Sequence, residues 1–193
     1  MTDRTTIRNN IAKFVDLTEE EFNYFYDLLV VKDFEKGQYL HTHGSICNKA
    51  YFIIRGCIRY FHIVEGEEIT GQFFFENAWY SDYESYLFGS PSEQTIQALE
   101  HTRAAILTKE TMNRLYGDMP KFERFGRLMA ENAFLGLRKR TEALTHQSAT
   151  ERYLELLKNR PKVLQRITQR HIASYLNIKP QSLSRIRKKV HHK

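Results

Sequence analysis

The sequence predicts an α+β protein in three parts: an N-terminal double-stranded, jelly-roll-like β-roll, a long helix, and a C-terminal all-α helix-turn-helix domain without a β wing. Three observations predict it. Residues 31 to 107 hold short runs rich in Tyr, Phe, Ile and Thr, broken by Gly37, Gly44, Gly56, Gly66 and Gly89. Between Met119 and His146 glycines thin out and apolar residues recur at helical spacing. The final segment carries the apolar positions, small residue and turn residue of two short helices sharing a core. The expected domains are 1–117 (β-roll sensor with flanking N-terminal helices), 118–146 (long dimerisation helix) and 147–193 (helix-turn-helix).

Composition narrows the class. The 193 residues are 41% hydrophobic and 27% charged, within the range of chains that fold around an apolar core. Two cysteines, Cys47 and Cys57, fit neither a disulfide framework nor a four-thiolate metal site. No run approaches the roughly 18 apolar residues of a membrane span. The segment from Met1 to Asn10 is polar, unlike a secretory signal, so a cytoplasmic location and no membrane partner are expected.

The net charge of +6 is unevenly spread. From Gln147 to Lys193 there are twelve Lys or Arg against two acids, Glu151 and Glu155, whereas the remainder holds seventeen bases and twenty-one acids. One end of the chain attracts a polyanion and the other does not.

Taken in order, Ile7, Ile11, Phe14 and Val15 recur at helical spacing, and Thr18 precedes three acids suited to a helix start, so residues 6 to 30 read as two short helices. Tyr51 to Ile54 and Cys57 to Val64 flank Arg55-Gly56, and Glu65-Gly66 turns the chain into Ile69 to Phe75. Further strands are expected at Thr95 to Leu99 and Arg103 to Leu107. The long helix carries two apolar stripes, one through Ala130, Ala133, Phe134, Leu137 and Leu144, the other through Phe125, Leu128 and Leu135. Two stripes suit packing on the β domain and on a partner helix, or burial between two domains of one chain. A helix at Thr150 to Leu157 is expected to end at Asn159-Arg160-Pro161.

In the tail, Ile172 and Leu176 face inward from a first helix, with Ala173 as the small residue. Ile178, Leu183 and Ile186 complete the miniature core. Asn177 stands at the turn, where a left-handed residue is needed. Thr168 can cap the first helix, and Pro180 suits the first turn of the second. With Leu183 and Ile186 inside, Gln181, Ser182, Ser184, Arg185, Lys188 and Lys189 turn outward. Arg can pair with guanine, Gln with adenine and Lys with phosphates, so these residues, with Gln169, Arg170 and Lys179, are the expected contacts to double-stranded DNA.

This order of parts resembles the Crp/Fnr family of bacterial transcription regulators over roughly residues 20 to 190. The resemblance rests on Asp33-Phe34-Glu35-Lys36-Gly37-Gln38-Tyr39-Leu40, Tyr51-Phe52-Ile53-Ile54-Arg55-Gly56 and Ile96-Gln97-Ala98-Leu99-Glu100. It implies a homodimer through the 118–146 helix, a pseudo-palindromic DNA site and an effector in the roll, and makes RNA polymerase a candidate partner. Arg185 matches a base-contacting arginine of the family, whereas Pro180 stands where a second often lies.

Departures from the family matter as much. Its cyclic-nucleotide members grip ribose and phosphate with Gly-Glu and Arg-Ser pairs; here the matching positions are Ser81-Asp82 and Ser92-Glu93. A carboxylate at Glu93 repels a phosphate, so cyclic AMP is not expected to bind. Trp79, Tyr80, Tyr83, Tyr86 and Phe88 either line a pocket for a planar effector or form a filled core; Trp79, Ser81, Asp82, Tyr83 and Glu93 are the candidate pocket residues. No cofactor is expected. Two cysteines are too few for an iron-sulfur cluster, and His41-Thr42-His43 with Cys47 lacks an assured third metal ligand. Without a wing, phosphate contacts would fall to Arg166, Arg170, Lys188, Lys189 and Lys193. No motif of an enzyme is found. The competing class is a ligand-binding or scaffold protein whose basic tail contacts RNA or an acidic protein.

Overall fold

The chain's computed structural model describes residues 2–191, with side chains through residue 190. Lys193, an expected phosphate contact, lies outside the described residues. Two compact units divide the chain: residues 1–60 with 74–132, and residues 61–73 with 133–193.

The first unit opens with α1 (Asp3–Ile11) and α2 (Glu19–Asp27), each started by a threonine cap. Thr18 accepts from the Glu21 N–H while the Glu21 carboxylate accepts from the Thr18 N–H, a reciprocal capping box. Eight strands follow: β1 (Val30–Phe34), β2 (Tyr39–His41), β3 (Lys49–Arg55), β4 (Ile58–Val64), β5 (Glu67–Phe74), β6 (Trp79–Tyr80), β7 (Thr95–Ala98) and β8 (Thr102–Thr108). They form two four-stranded sheets in the orders β1-β8-β3-β6 and β2-β7-β4-β5, the two-sheet roll that the alternating runs predict.

Strands β3 and β8 are buried on both faces, and their alternation builds two cores. Tyr51, Ile53, Ala104 and Ile106 point into one with Phe34, Ile58 and Ile96. Phe52, Ile54, Ala105 and Leu107 point into the other with Ile7, Phe22, Phe25 and Phe122. Gly56 links β3 to β4 with φ of 101°, and a Cβ there would lie 2.5 Å from Thr102 Oγ1 and 2.7 Å from the His101 carbonyl. Only glycine meets both demands.

Two helices of this unit have no counterpart in the sequence reading. Helix α3 (Tyr83–Phe88) occupies the aromatic segment, and α4 (Lys109–Asp118) is started by Thr108, which accepts from the Thr111 N–H. α3 is six residues long, too short for helical periodicity to register. Helix α5 (Lys121–His146) then runs 26 residues, burying Phe122 and Phe125 in its first turns.

The second unit holds the far part of α5, residues 61–73 of the β4-β5 hairpin, α6 (Ala149–Asn159), α7 (Pro161–Arg166), α8 (Gln169–Tyr175) and α9 (Pro180–His191). The expected break at Asn159-Arg160-Pro161 ends α6, but Pro161 also begins α7, because a missing N–H costs nothing in a first turn. Tyr153, Leu156, Val163, Ile167, Ile172, Ala173, Leu176 and Leu183 form the buried interior. Ile178 and Ile186 are half-buried instead of core residues. Helix α8 has only seven residues, so the longer α9 runs past it beyond Leu183.

Candidate functional site

The helix pair α8 and α9 is joined as the turn chemistry requires. Thr168 accepts from the His171 N–H to start α8. Asn177 takes φ of 53°, its N–H donating to the Ser174 carbonyl at 3.0 Å while the Ile178 N–H donates to the Ala173 carbonyl at 3.0 Å. These two bonds close a Schellman turn, with Asn177 as the left-handed residue. Leu183 is then buried and α9 presents its other side outward.

Gln169, Arg170, Lys179, Gln181, Ser184, Arg185, Lys188 and Lys189 are all exposed, and Ser182 is half-buried. Gln181, Arg185 and Lys188, spaced by four and three residues, form one stripe along α9. The Arg185 guanidinium reaches back to Ser182 Oγ at 3.3 Å. Both tail carboxylates are engaged on α6: Glu151 accepts from the Ser148 N–H at 2.7 Å, and Glu155 accepts from Gln147 Nε2 at 2.9 Å. The hydrogen bond to Ser148 holds the Glu151 carboxyl below its ordinary pKa.

The candidate effector residues are spread over different surroundings. Trp79 Nε1 donates to Asn10 Oδ1 at 2.9 Å, and its ring packs against Phe52 and Phe125. Tyr80, the next residue on β6, turns the other way and stacks on Tyr60 at 5.1 Å and Phe74 at 4.3 Å. Burial raises the Tyr80 hydroxyl well above its ordinary pKa. Asp82 is buried, accepting from Ser92 Oγ at 2.5 Å and from Gln94 Nε2 at 3.4 Å. Tyr83 is 46% exposed and stacks on Tyr86, and Glu93 faces solvent. Ser81 donates to the Lys49 carbonyl at 3.0 Å.

Sequence reasoning passed over Arg59, a buried guanidinium that donates to Gln97 Oε1 at 3.1 and 2.8 Å across neighbouring strands. It also passed over Tyr175, buried against Phe73 with the Arg140 guanidinium 3.9 Å above its ring. A lone Arg in a strand run and a lone Tyr in a basic tail carry no spacing signal. Among the described residues no group of three or more His, Cys, Asp or Glu could hold a metal ion, and no helix is long and apolar enough to cross a membrane.

Comparison with known proteins agrees with this geometry. The cyclic nucleotide-binding domain family matches residues 31–118. No curated protein sequence matches the chain. FixK2 from Bradyrhizobium japonicum superposes with a TM-score of 0.74 at 14% identity, covering 85% of this chain and 85% of its own. A regulator assigned to the Crp/Fnr family from Eubacterium rectale gives 0.73 at 18% identity, covering 95% and 88%. The c-di-GMP responsive global regulator CLP of Xanthomonas campestris gives 0.71 at 14%, covering 88% and 90%. Residues 31–118 therefore match the cyclic nucleotide-binding domain family, and the chain has the fold of the Crp/Fnr transcription regulators.

Proposed function

We propose that this chain is a DNA-binding transcription regulator of Crp/Fnr type, active as a homodimer and without enzymatic role. The observation that carries the reading is the pair α8 and α9, closed by a left-handed Asn177 and presenting Gln181, Arg185 and Lys188 on one exposed stripe. A helix of that composition fits a major groove, with Gln169, Arg170, Lys179 and Lys189 placed for the flanking backbone.

Dimerisation is supported by α5. Phe134, Leu135 and Leu137 are 66%, 50% and 61% exposed, and Leu144 is 40% exposed. Apolar side chains of this size on a helix are ordinarily covered, and a second copy of α5 supplies matching knobs and holes. The segments 1–117, 118–146 and 147–193 serve in this reading as sensor, dimer helix and DNA reader.

The β-roll is read as a sensor that does not take cyclic AMP. Asp82 and Ser92 stand where cyclic-nucleotide binders place their ribose and phosphate ligands, and here they are bonded to each other. An effector of other chemistry, or none, controls the protein.

Binding selection from random duplexes, followed by anisotropy titration of the winner, tests the proposal. A sequence preference is expected, with log affinity falling against log salt by about 0.9 per phosphate contacted. Equal affinity for single-stranded RNA and for every duplex would place the chain in another class.

A further inference from the structure

The second unit contains a cavity of about 250 Å³ bounded by α5, α6, α8 and Gln72 of β5. Four cations line it: Lys139, Arg140, Arg152 and Arg160. Glu155 is the one carboxylate among its described lining residues. That carboxylate already accepts from Gln147 Nε2 at 2.9 Å.

Arg152 and Arg160 are held in place by bonds to neutral oxygens. Arg152 Nη1 donates to the Gln147 carbonyl at 2.5 Å and Nη2 to the Leu176 carbonyl at 2.9 Å. Arg160 Nη2 donates to the Phe73 carbonyl at 2.7 Å. Carbonyls satisfy N–H groups without cancelling a unit charge, so Arg152 and Arg160 are held in position with their positive charge retained. Two lining residues also carry buried atoms with no hydrogen-bond partner: Arg152 Nε, a donor, and Gln147 Oε1, an acceptor. Buried orphans of this kind call for a partner from outside the chain.

We propose that the cavity binds a small phosphate-bearing anion, with a phosphate oxygen accepting from Arg152 Nε and an O–H of the ligand donating to Gln147 Oε1. Inorganic phosphate and a phosphomonoester of a few carbons share this chemistry. The volume lies below the roughly 300 to 1,000 Å³ of pockets for larger ligands, which suits an occupant of that size. Among the described residues none of α9 lines the cavity, so this site is separate from the proposed DNA-reading stripe. Its occupancy joins α5 to α6 and α8, stiffening the segment that carries α9.

Calorimetric titration of the full chain in chloride buffer at constant ionic strength, with sodium phosphate in one arm and glycerol 3-phosphate in the other, tests this. Saturable one-site binding is expected in at least one arm, and the stronger arm identifies the source. Lys139 is exposed, so Lys139→Glu keeps the fold while reversing one charge. It should weaken binding at least about tenfold with Tm in chloride unchanged, whereas Arg152→Lys, which removes Nε and also the bonds to the Gln147 and Leu176 carbonyls, should weaken binding and lower Tm together. Absence of saturable binding in both arms, or equal binding by wild type and Lys139→Glu, overturns the proposal. So does a loss of duplex DNA affinity in Lys139→Glu when neither small anion binds, since the cations would then serve DNA alone.

Discussion

Ser92 donates its hydroxyl hydrogen to Asp82 Oδ2 at 2.5 Å, and both side chains are buried. A phosphate placed here would meet a carboxylate in place of a cation. Calorimetry with cyclic AMP and cyclic GMP is expected to show no micromolar binding. Asp82→Ala should lower stability by about 1 to 3 kcal/mol in urea denaturation, because Ser92 and Gln94 lose their shared acceptor. Tight cyclic-nucleotide binding by the wild type would contradict the assignment.

Arg185 and Lys189 should separate base reading from backbone attraction. Arg185→Ala is expected to cost about 1 to 3 kcal/mol on the preferred duplex and to relax preference at one position. Lys189→Ala should weaken all duplexes alike and lower the salt slope by about 1. Equal losses on specific and random DNA for Arg185→Ala would reverse the roles.

The exposed side of α5 predicts the oligomeric state. Phe134→Glu combined with Leu137→Glu should convert a dimer to a monomer in sedimentation velocity, with helical content by circular dichroism unchanged. A wild-type chain that sediments as a monomer at all concentrations would remove the dimer from the proposal.

Ser174 ties α8 to the tip of the β4-β5 hairpin within the second unit: its hydroxyl donates to the Glu68 carbonyl at 2.7 Å and accepts from the Thr70 N–H at 2.8 Å. Ser174→Ala should destabilise by about 1 to 3 kcal/mol through the loss of both bonds. Amide exchange in residues 66–72 should speed up. Unchanged exchange there would mean the hairpin is held by other contacts.

His41 predicts a pH dependence. Its ring is desolvated, which lowers its pKa from the ordinary 6.5; Lys49 adds to the effect and Asp82 opposes it. The unfolded chain therefore takes up a proton at a pH where the folded chain resists it, so stability falls as pH drops through about 6.5. Urea midpoints at pH 7.5, 6.5 and 5.5 should decline less in His41→Gln than in wild type. Parallel declines would assign the effect to other groups.

What could be read along the chain was whatever is decided by neighbours. The cap at Thr168, the left-handed Asn177 and the buried Leu183 all lie within residues 168–183, so the helix pair was legible from local sequence, although Ile178 and Ile186 are half-buried. Strands β3 and β8 were legible through their apolar runs, although only packing shows that alternate residues serve two different cores. Helices α3 and α7 are six residues each, too short for a periodic signal, and tertiary contacts stabilise them.

The tertiary structure alone decided which distant side chains meet. Asp82 and Ser92 come together across an intervening helix, and Lys139, Arg140, Arg152 and Arg160 converge with Tyr175 although they are spread from α5 to α8 along the chain. The reason is physical. Local propensity and periodicity report how a segment orients toward an interior, whereas the partner of a buried polar group is set by how whole elements pack.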